Sequence, residues 1–394
     1  MSTGISIQRA ANDTAEFGSD AILPTEVASK FMRRVIDGAP TLRLIRDVMM
    51  TSPTLKVPKI ATSRRMLRKG SEGVAPRDQQ PFDISSIDLS PAELNLAYEL
   101  TYKLSRDSVE RQMLAQTLAQ MTEARIGTDL NDLVWNGDTT DYSSAATTLS
   151  GSHSSSVATI TVVSTSGFPT TSGGFGFLVI ESERVEYTGV TSTTFTGATR
   201  GADATTAASH SNGVAVTFVQ DALYPAFNGV RAKVSAAGQI VDLSAIGDGT
   251  LSLDSLEALL DLVPAKYRNS NASKASYRWC ANDLTVRRWR RYLGARQTGG
   301  GDAVLNSNSP EAVSPLGIAW NMDEHVPTGT IVLAPMNQIL LGVRTDNIRR
   351  VSTSEGKDLK SRDAIYYKWS LEADVEIEET EAFAMGTSLV TTIS

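Results

Sequence analysis

A long amphipathic stretch in the first third of the sequence constrains the fold more than any other feature. Apolar residues recur at mostly three- or four-residue spacing over residues 105–135, which is the spacing of one helical face. At 1.5 Å per residue the predicted helix is roughly 45 Å long, above the average for globular proteins. Asp107 and Glu110 in its first turn favour the helix dipole, and Gly137 follows its end. We expect this helix to act as the spine of its domain.

The stretch over residues 147–219 differs sharply in composition from its surroundings. Ser, Thr, Gly and Ala dominate it, and it contains no Lys, Cys, Met or Trp. Gly-rich turns separate short β-favouring runs, at residues 158–163, 177–180, 184–190, 193–196 and 214–219. A low-complexity linker is the alternative. The alternating patterns and the aromatic residues favour a small folded β-domain with a core around Phe168, Tyr187 and Phe195.

Residues 53–103 combine two strand-like runs with a long central loop. The runs cover residues 55–60 and 94–104, and the loop between them, residues 64–80, is rich in charge, Gly and Pro. Long loops inside compact domains are uncommon unless they bind something. We therefore expect the loop to reach another subunit, with a disordered loop as the alternative. Its tip carries four clustered cations, which are Arg64, Arg65, Arg68 and Lys69.

Mixed helix and strand patterns follow residue 220. An amphipathic helix is predicted over residues 253–263, where Asp254 and Glu257 are spaced like a capping box. Asp283 is predicted to cap a further helix that ends near Leu293. Strands are predicted at residues 277–280, 331–334, 338–343 and 371–377. The segment over residues 24–50 is predicted to contain a short helix broken at Pro40.

The last of these strands alternates apolar and acidic residues. This pattern predicts one buried face and one strongly acidic face. The acidic residues of the strand and its end are Glu372, Asp374, Glu376 and Glu378. They are candidate partners, on an adjacent subunit, for the cations of the loop tip, although a solvated loop tip is the alternative because surface ion pairs contribute only about 0 to 1 kcal/mol each.

Length and charge restrict the class of protein. A chain of 394 residues is expected to form two or more packed units. The formal net charge of −7 argues against a dedicated nucleic-acid binder. Cys280 is the only cysteine, so no intrachain disulfide can form and a reducing compartment is expected. Residues 1–20 do not resemble a secretion signal, and no apolar run is long enough to span a membrane.

Residues that would support catalysis are scattered. His153, His210 and His325 are far apart in the sequence, so a shared metal site is not expected. The Gly-rich stretches at residues 173–174 and 299–301 lack the lysine of a phosphate-binding loop. We therefore expect no enzyme activity, no catalytic or metal site and no cofactor.

A basic cluster surrounds Trp289 in the helix that begins near Asp283. It consists of Arg287, Arg288, Arg290 and Arg291. Contact with DNA is one interpretation. Because the chain is acidic overall, a solvated or intersubunit helix face is favoured.

The order of these patterns resembles the major capsid proteins of tailed bacteriophages with the Hong Kong 97-type fold. The similar segments are residues 21–48, the LKVPKI run at 55–60, the GSEG run at 70–73, and residues 97–137, 253–292 and 315–350. The stretch over residues 147–219 departs from that family and resembles a β-module of phage virion proteins. Its matching motifs are GFP at 167–169, VEYTG at 185–189, TRG at 199–201, and His210 with Gly213.

The resemblance implies an α+β capsid fold with an inserted small all-β domain. The implied divisions are an N-terminal arm (1–20), a leading segment (21–52), an extended loop with flanking strands (53–103), the spine helix of a peripheral domain (104–146), the inserted β-domain (147–219), a mainly axial domain (220–345) and a return to the peripheral domain with the C-terminus (346–394). No helical scaffolding segment is recognisable at the N-terminus.

The resemblance also implies a function and partners. The chain is expected to assemble with itself into pentamers and hexamers that close an icosahedral head around double-stranded DNA, held non-specifically. Portal and scaffolding proteins are the other expected partners, and no membrane is expected. Assembly would occur in the host cytoplasm and the product would be the virion capsid. The alternatives are an encapsulin-like compartment shell and a decoration or adhesion protein that binds through its β-domain.

Overall fold

A computed structural model describes most of the chain, and the protein is a mixed α/β protein. The described residues are 39–61, 83–101, 114–170, 172, 176–247, 249–268, 276–294, 314–353 and 364–390. They divide into two compact units. The first holds the described parts of Asp47–Met121 and Leu340–Glu378, and the second holds those of Arg34–Arg46, Thr122–Ile339 and Glu379–Ser394.

The described helices are short apart from one. The α-helices are α1 (Leu114–Asn136), α2 (Val230–Ala236), α3 (Leu253–Leu262), α4 (Ala265–Arg268) and α5 (Asp283–Gly294). Single 3-10 turns occur at Tyr224–Ala226, Leu243–Ala245, Pro315–Gly317, Met336–Gln338 and Thr380–Ala382. The described part of the predicted spine helix is α1, and residues 102–113 lie outside the described residues.

The described strands fall into five sheets. The first twelve strands are β1 (Arg46–Met50), β2 (Leu55–Ala61), β3 (Asp83–Leu89), β4 (Ala92–Thr101), β5 (Ala146–Thr148), β6 (Thr159–Thr161), β7 (Gly176–Ile180), β8 (Glu183–Glu186), β9 (Gly189–Val190), β10 (Thr194–Thr196), β11 (Thr199–Ala202) and β12 (Ala215–Gln220). The others are β13 (Ile240–Asp242), β14 (Tyr277–Ala281), β15 (Trp320–Met322), β16 (Ile331–Pro335), β17 (Ile339–Thr353), β18 (Ala364–Ile377) and β19 (Ala384–Thr387).

A four-stranded sheet in the order β1-β17-β18-β4 forms the body of the first unit. β18 pairs with β4 in antiparallel register, with Leu371 opposite Leu94. Gly342 on β17 is closely packed, because a Cβ there would lie 3.0 Å from the Met50 sulfur and 3.2 Å from a Leu89 methyl carbon. A larger residue at this position would require these two side chains to shift by a few tenths of an ångström.

Two predictions for the first unit need correction. The leading segment ends in the strand β1, not in a continuation of the predicted helix, and its residues before 39 lie outside the described part of the chain. The strand predicted at residues 338–343 extends through β17 to Thr353, because pairing with neighbouring strands continues beyond the apolar run that indicated it.

The strands β2 and β3 form a separate two-stranded ladder. They run antiparallel from Leu55 opposite Leu89 to Ala61 opposite Asp83. The strand predicted at residues 55–60 is confirmed as β2, whereas β3 was not predicted because its apolar residues Ile84, Ile87 and Leu89 do not alternate regularly. The connecting residues 62–82 lie outside the described part of the chain.

The second unit is organised around a five-stranded sheet in the order β13-β19-β16-β14-β15. One face of this sheet contributes Trp279 and Leu333 to an apolar core. Leu256 and Leu259 of α3 and Trp289 of α5 pack into the same core, which places both helices on that face. Burial of apolar surface on this face is the main stabilising contribution to the sheet.

The start points of α3 and α5 differ from those predicted. Ser252 is the N-cap of α3, and its hydroxyl accepts a hydrogen bond from the Ser255 backbone N–H, so the predicted capping box from Asp254 is wrong. The Asn282 side chain accepts from the Thr285 N–H at 3.0 Å, so Asn282 rather than Asp283 caps α5. In both helices the N-cap lies one or two residues before the predicted one. Its side chain accepts a hydrogen bond from a backbone N–H in the first turn.

The strands β5 to β12 form a compact β-module, defined here as residues 146–220. Its two sheets have the orders β6-β10-β9 and β11-β8-β7-β12-β5. Their apolar residues form one core, in which the Phe195 ring lies 4.7 Å from that of Tyr187 and 5.1 Å from that of Phe168. All three predicted core residues are buried.

All five β-favouring runs predicted in the β-module contain strands, but two further strands were missed. β5 and β11 were not predicted, because Ala-Thr-Thr and Thr-Arg-Gly-Ala carry little β-favouring or alternating pattern. Both are edge strands of the five-stranded sheet. Pairing with an existing strand, rather than side-chain burial, therefore determines their conformation.

We expect Phe195→Ala to destabilise the β-module by about 3 to 5 kcal/mol, because it leaves a cavity between two aromatic rings. Phe177→Ala is the matched control, since the half-buried Phe177 ring lies on the opposite side of β7 from the core, beneath the Arg184 guanidinium. Its cost should be about 1 kcal/mol. Hydrogen exchange of β6 and β10 measures both changes, and equal effects of the two substitutions would contradict the assigned core.

Candidate functional site

A buried carboxylate, Asp323, joins distant segments of the second unit. Its Oδ2 accepts hydrogen bonds from Asn131 Nδ2 at 2.8 Å and from Trp135 Nε1 at 2.9 Å, both on α1. The Thr41 hydroxyl donates to the same oxygen. Asp323 therefore links the end of α1 to the segment before β1 and to the turn after β15.

His325 completes the set of donors around this carboxylate. Its backbone N–H and its Nδ1 each lie 3.0 Å from Asp323 Oδ1. Burial alone would raise the pKa of Asp323, but the hydrogen bonds from His325, Thr41 and Asn131 lower it to about 2. Burial acts to lower the pKa of His325, and its hydrogen bond to Asp323 outweighs that effect and raises it. Asp323 is therefore a buried carboxylate that accepts hydrogen bonds at both of its oxygens.

A second buried carboxylate, Glu183, lies within the β-module. Arg200 pairs with it through two nitrogens, Nε at 2.7 Å from Oε1 and Nη2 at 2.8 Å from Oε2. The backbone N–H groups of Gly201 and Ala208 also donate to it, at 2.9 and 3.0 Å. Burial would raise the pKa of Glu183, but Arg200 and the N–H donors lower it to about 2. This bidentate pair joins β11 to β8 through their side chains.

Two of the histidines are neighbours in the fold, which corrects the expectation that all three lie apart. His153 and His210 exchange backbone hydrogen bonds, each with an N···O distance of 2.9 Å. Their rings contact different groups. The two nitrogens of His210 lie 2.8 Å from oxygens of Glu181 and Glu183, whereas the His153 Nε2 accepts from the Thr161 N–H. Strand pairing across the module brings together residues that the sequence separates.

The predicted basic cluster lies on the outward side of α5. Trp289 is buried, as predicted, and it anchors the helix to the sheet. Arg287 is exposed and pairs with Asp283 at 2.7 Å. Arg291 is also exposed, and the half-buried Arg288 donates to the Val390 carbonyl. Arg290 is half-buried next to them.

The acidic residues of β18 are more engaged within the chain than their pattern predicted. Asp374 is buried, and its Oδ2 accepts the Ser90 N–H at 2.7 Å, so the acidic face is not fully exposed. Glu372 pairs with Arg344 at 3.0 Å. Glu376 and Glu378 are half-buried. Contact between these residues and a neighbouring subunit stays a prediction.

The predicted loop tip carries four cations. Arg64, Arg65, Arg68 and Lys69 lie outside the described residues. Their assignment as an intersubunit contact also stays a prediction.

The remaining chemistry of the described residues is limited. Burial raises the pKa of the Cys280 thiol to about 12, so the thiol is not ionised near neutral pH. Among the residues that the structure describes, no three His, Cys, Asp or Glu side chains are grouped to hold a metal ion. None of the described helices is long and apolar enough to cross a membrane.

Sequence comparison identifies one curated relative. No protein-family model matches the chain. The putative prophage capsid protein YqbE of Bacillus subtilis (strain 168) is 33% identical over 147 residues, which are 37% of this chain. The match spans 47% of the length of that relative, so about half of it has a counterpart here.

Solved structures share the fold over most of the chain. A chain from the satellite phage P4 procapsid including size determination (Sid) protein aligns with a TM-score of 0.52 and 12% identity, over 93% of this chain and 92% of that one. A chain from the capsid of an empty GTA particle gives 0.51 and 12%, over 90% of each. A chain of Microbacterium phage Oxtober96 gives 0.50 and 13%, over 89% and 91%.

These similarities define the class of protein. The chain shares its fold with chains from a phage procapsid, from the capsid of a GTA particle and from a Microbacterium phage, at sequence identities that show the fold alone. Together with the segment that is similar to a putative prophage capsid protein, they confirm the resemblance to phage capsid proteins.

We expect Asp323→Asn to destabilise the second unit by about 3 kcal/mol, because the new amide faces donors that need an acceptor. Glu324→Gln is the matched control. The Glu324 side chain is 83% exposed, so this substitution next to Asp323 should have little effect on stability. Urea unfolding followed by tryptophan fluorescence measures both.

The effect of Asp323→Asn should also depend on pH. The folded pKa of Asp323 lies below its ordinary value of 3.8, so its contribution is present above that value and is lost as the pH falls toward about 2. The stability difference between the two proteins should therefore shrink over this window. A difference that stays constant down to pH 2 would show that the carboxylate charge is not the cause.

We expect Arg200→Met to destabilise the β-module by about 3 to 5 kcal/mol and to change its pH dependence, because Glu183 remains buried without its cation. The wild-type module should lose stability as the pH falls from 4.5 to about 2, the ordinary and folded pKa values of Glu183. The variant should lose much less, since its Glu183 is more easily protonated. Arg184→Met, which removes a half-exposed pair with Asp203, is the control. Identical pH profiles for Arg200→Met and wild type would refute the assignment.

Proposed function

We propose that this chain is the major capsid protein of a tailed phage or prophage, the subunit that forms the icosahedral shell of the head. The observation that carries the proposal is the shared fold with a phage procapsid chain over 93% of the sequence. The related segment in a putative prophage capsid protein supports it. In this role the chain assembles with itself as pentamers and hexamers and catalyses no reaction.

The proposal includes the Hong Kong 97-type layout. The first unit, with its sheet of long strands and the β2–β3 ladder, corresponds to the peripheral domain and extended loop. The β13-β19-β16-β14-β15 sheet of the second unit corresponds to the axial domain. The β-module is an inserted domain, since its two sheets enclose an apolar core of their own.

Partners follow from this role. Double-stranded DNA fills the shell and is contacted non-specifically, while portal and scaffolding proteins take part in its assembly in the host cytoplasm. The net charge of −7 agrees with a container that holds DNA loosely rather than one that binds it tightly.

Expression of the chain alone and together with its neighbouring phage genes tests the proposal. We expect closed particles of megadalton mass in negative-stain electron microscopy and analytical ultracentrifugation, because each subunit buries surface against several neighbours. A stable monomer under all conditions would favour a decoration or adhesion protein instead.

The loop tip provides a test of one contact in the shell. Changing Arg64, Arg65, Arg68 and Lys69 together to Glu should abolish particles and leave the helix content and melting temperature of the monomer unchanged. Repulsion at a contact repeated over the whole shell would outweigh the small contribution of one surface pair. The matched control replaces the three arginines with Lys. Normal assembly of the Glu variant at low and high salt would exclude an electrostatic contact there.

A further inference from the structure

The outward face of α3 is acidic. Leu256 and Leu259 point into the core of the second unit. Asp254, Glu257 and Asp261 are exposed, and their spacing of three and four residues places them on one side of the helix. The helix contains no basic residue, so its formal charge is −3 from these three carboxylates.

The outward face of α5 is basic. Val286 and Trp289 are buried, while Arg287 and Arg291 lie one turn apart on the exposed side. Four arginines and one aspartate give this helix a formal charge of +3. The two helices therefore carry equal and opposite charges.

The two charged helices lie toward opposite ends of the same sheet. α3 packs against β13 and β19, whereas α5 packs against β15. β13 and β15 are the two edge strands of this sheet, and both helices contribute to the core on one of its faces. One end of the sheet therefore presents carboxylates and the other presents guanidinium groups.

Within the described part of the chain, few opposite charges neutralise these faces. Asp261 pairs with Arg268 at 3.1 Å, and Arg287 pairs with Asp283. No ion pair among the described residues involves Asp254, Glu257 or Arg291. The Nε atoms of Arg288 and Arg290 are buried without a hydrogen-bond partner. Both faces thus retain the capacity to bind an opposite charge.

We propose that the basic face of α5 in one subunit binds the acidic face of α3 in the next copy of this chain. Arg287 and Arg291 meet Asp254 and Glu257, so that copies join head to tail and close into a ring. The inference rests on the proposed shell function and deepens it by naming the residues of one subunit contact. Different patches at opposite ends of a subunit give a heterologous interface, which forms a ring when its rotation closes.

The overall charge favours a second copy over nucleic acid as the partner. The chain carries −7 in total and α5 carries +3, so the rest of the chain carries −10 (−7 minus 3). The net charge of the rest of the chain disfavours the approach of a polyanion to α5. A second copy offers α3 with matching spacing and charge.

Reciprocal charge exchange tests the proposal on the full-length chain. The first variant is Arg287→Glu with Arg291→Glu, the second is Asp254→Lys with Glu257→Lys, and the third combines all four changes. Arg287→Lys with Arg291→Lys is the matched control, because it keeps the charge. Particle yield, particle DNA content and the melting temperature of the unassembled subunit are measured for each.

We expect the first and second variants each to lower particle yield at least about tenfold, because like charges then face each other. The combined variant should return to within about twofold of wild type, and the Lys control should assemble normally. The first variant lowers the net charge by four and the second raises it by four, so a general charge effect cannot explain loss in both and recovery in the third.

Other outcomes separate the inference from the proposed function. If wild type forms particles and both reversed variants do so equally well, the α3–α5 contact is refuted while the shell function stands. If only the first variant is impaired, and its defect is loss of DNA from intact particles, α5 binds nucleic acid instead. In another outcome, the first and second variants both lose particle yield while the combined variant, with an unchanged melting temperature, does not regain it. That result also refutes the pairing of these two faces. If wild type forms no particles, the proposed function itself fails.

Discussion

Asp323 has no exposed side-chain surface, and it is stable there only because donors from three separate parts of the sequence converge on it. A buried carboxylate without partners would cost several kcal/mol, so Thr41, Asn131 and Trp135 have to be in place together. This requirement fixes the end of the long helix α1 relative to the turn that follows β15. Asp323 thereby holds together segments of the second unit that lie up to 282 residues apart in the sequence.

The β-module uses the same physical device on a smaller scale. Glu183 accepts hydrogen bonds from Arg200, which binds it through two nitrogens, and from backbone N–H groups. The strands of this module are short and rich in Ser and Thr. A small domain buries limited apolar area, so a fully satisfied ion pair adds specificity to an otherwise modest core. Arg200 and His210 belonged to the motif that resembled virion modules, and the structure gives these motif residues a shared role around Glu183.

Periodicity predicted the elements that are determined by burial. The helix α1, the helix α3 and the apolar strands β14 and β16 appear where their apolar residues indicated them, because side-chain burial and local periodicity agree there. Elements determined by pairing with other strands could not be predicted from their own residues, as the strand β3 and the edge strands β5 and β11 show. Asp323 was also missed, since a single Asp in a turn carries no local signal of the donors that surround it. The charged residues of α5 were recognised, whereas their relation to α3 required knowledge of the sheet order.

The proposed function requires that copies of this chain close shells through repeated contacts with one another. Cryo-electron microscopy of particles formed by the full-length chain tests it most directly, because a reconstruction reports both the symmetry and the neighbours of each subunit. We expect icosahedral symmetry, with rings of five and six copies in which the β13-β19-β16-β14-β15 sheets of adjacent subunits approach edge to edge. Open filaments, isolated dimers or a particle without such rings would contradict it.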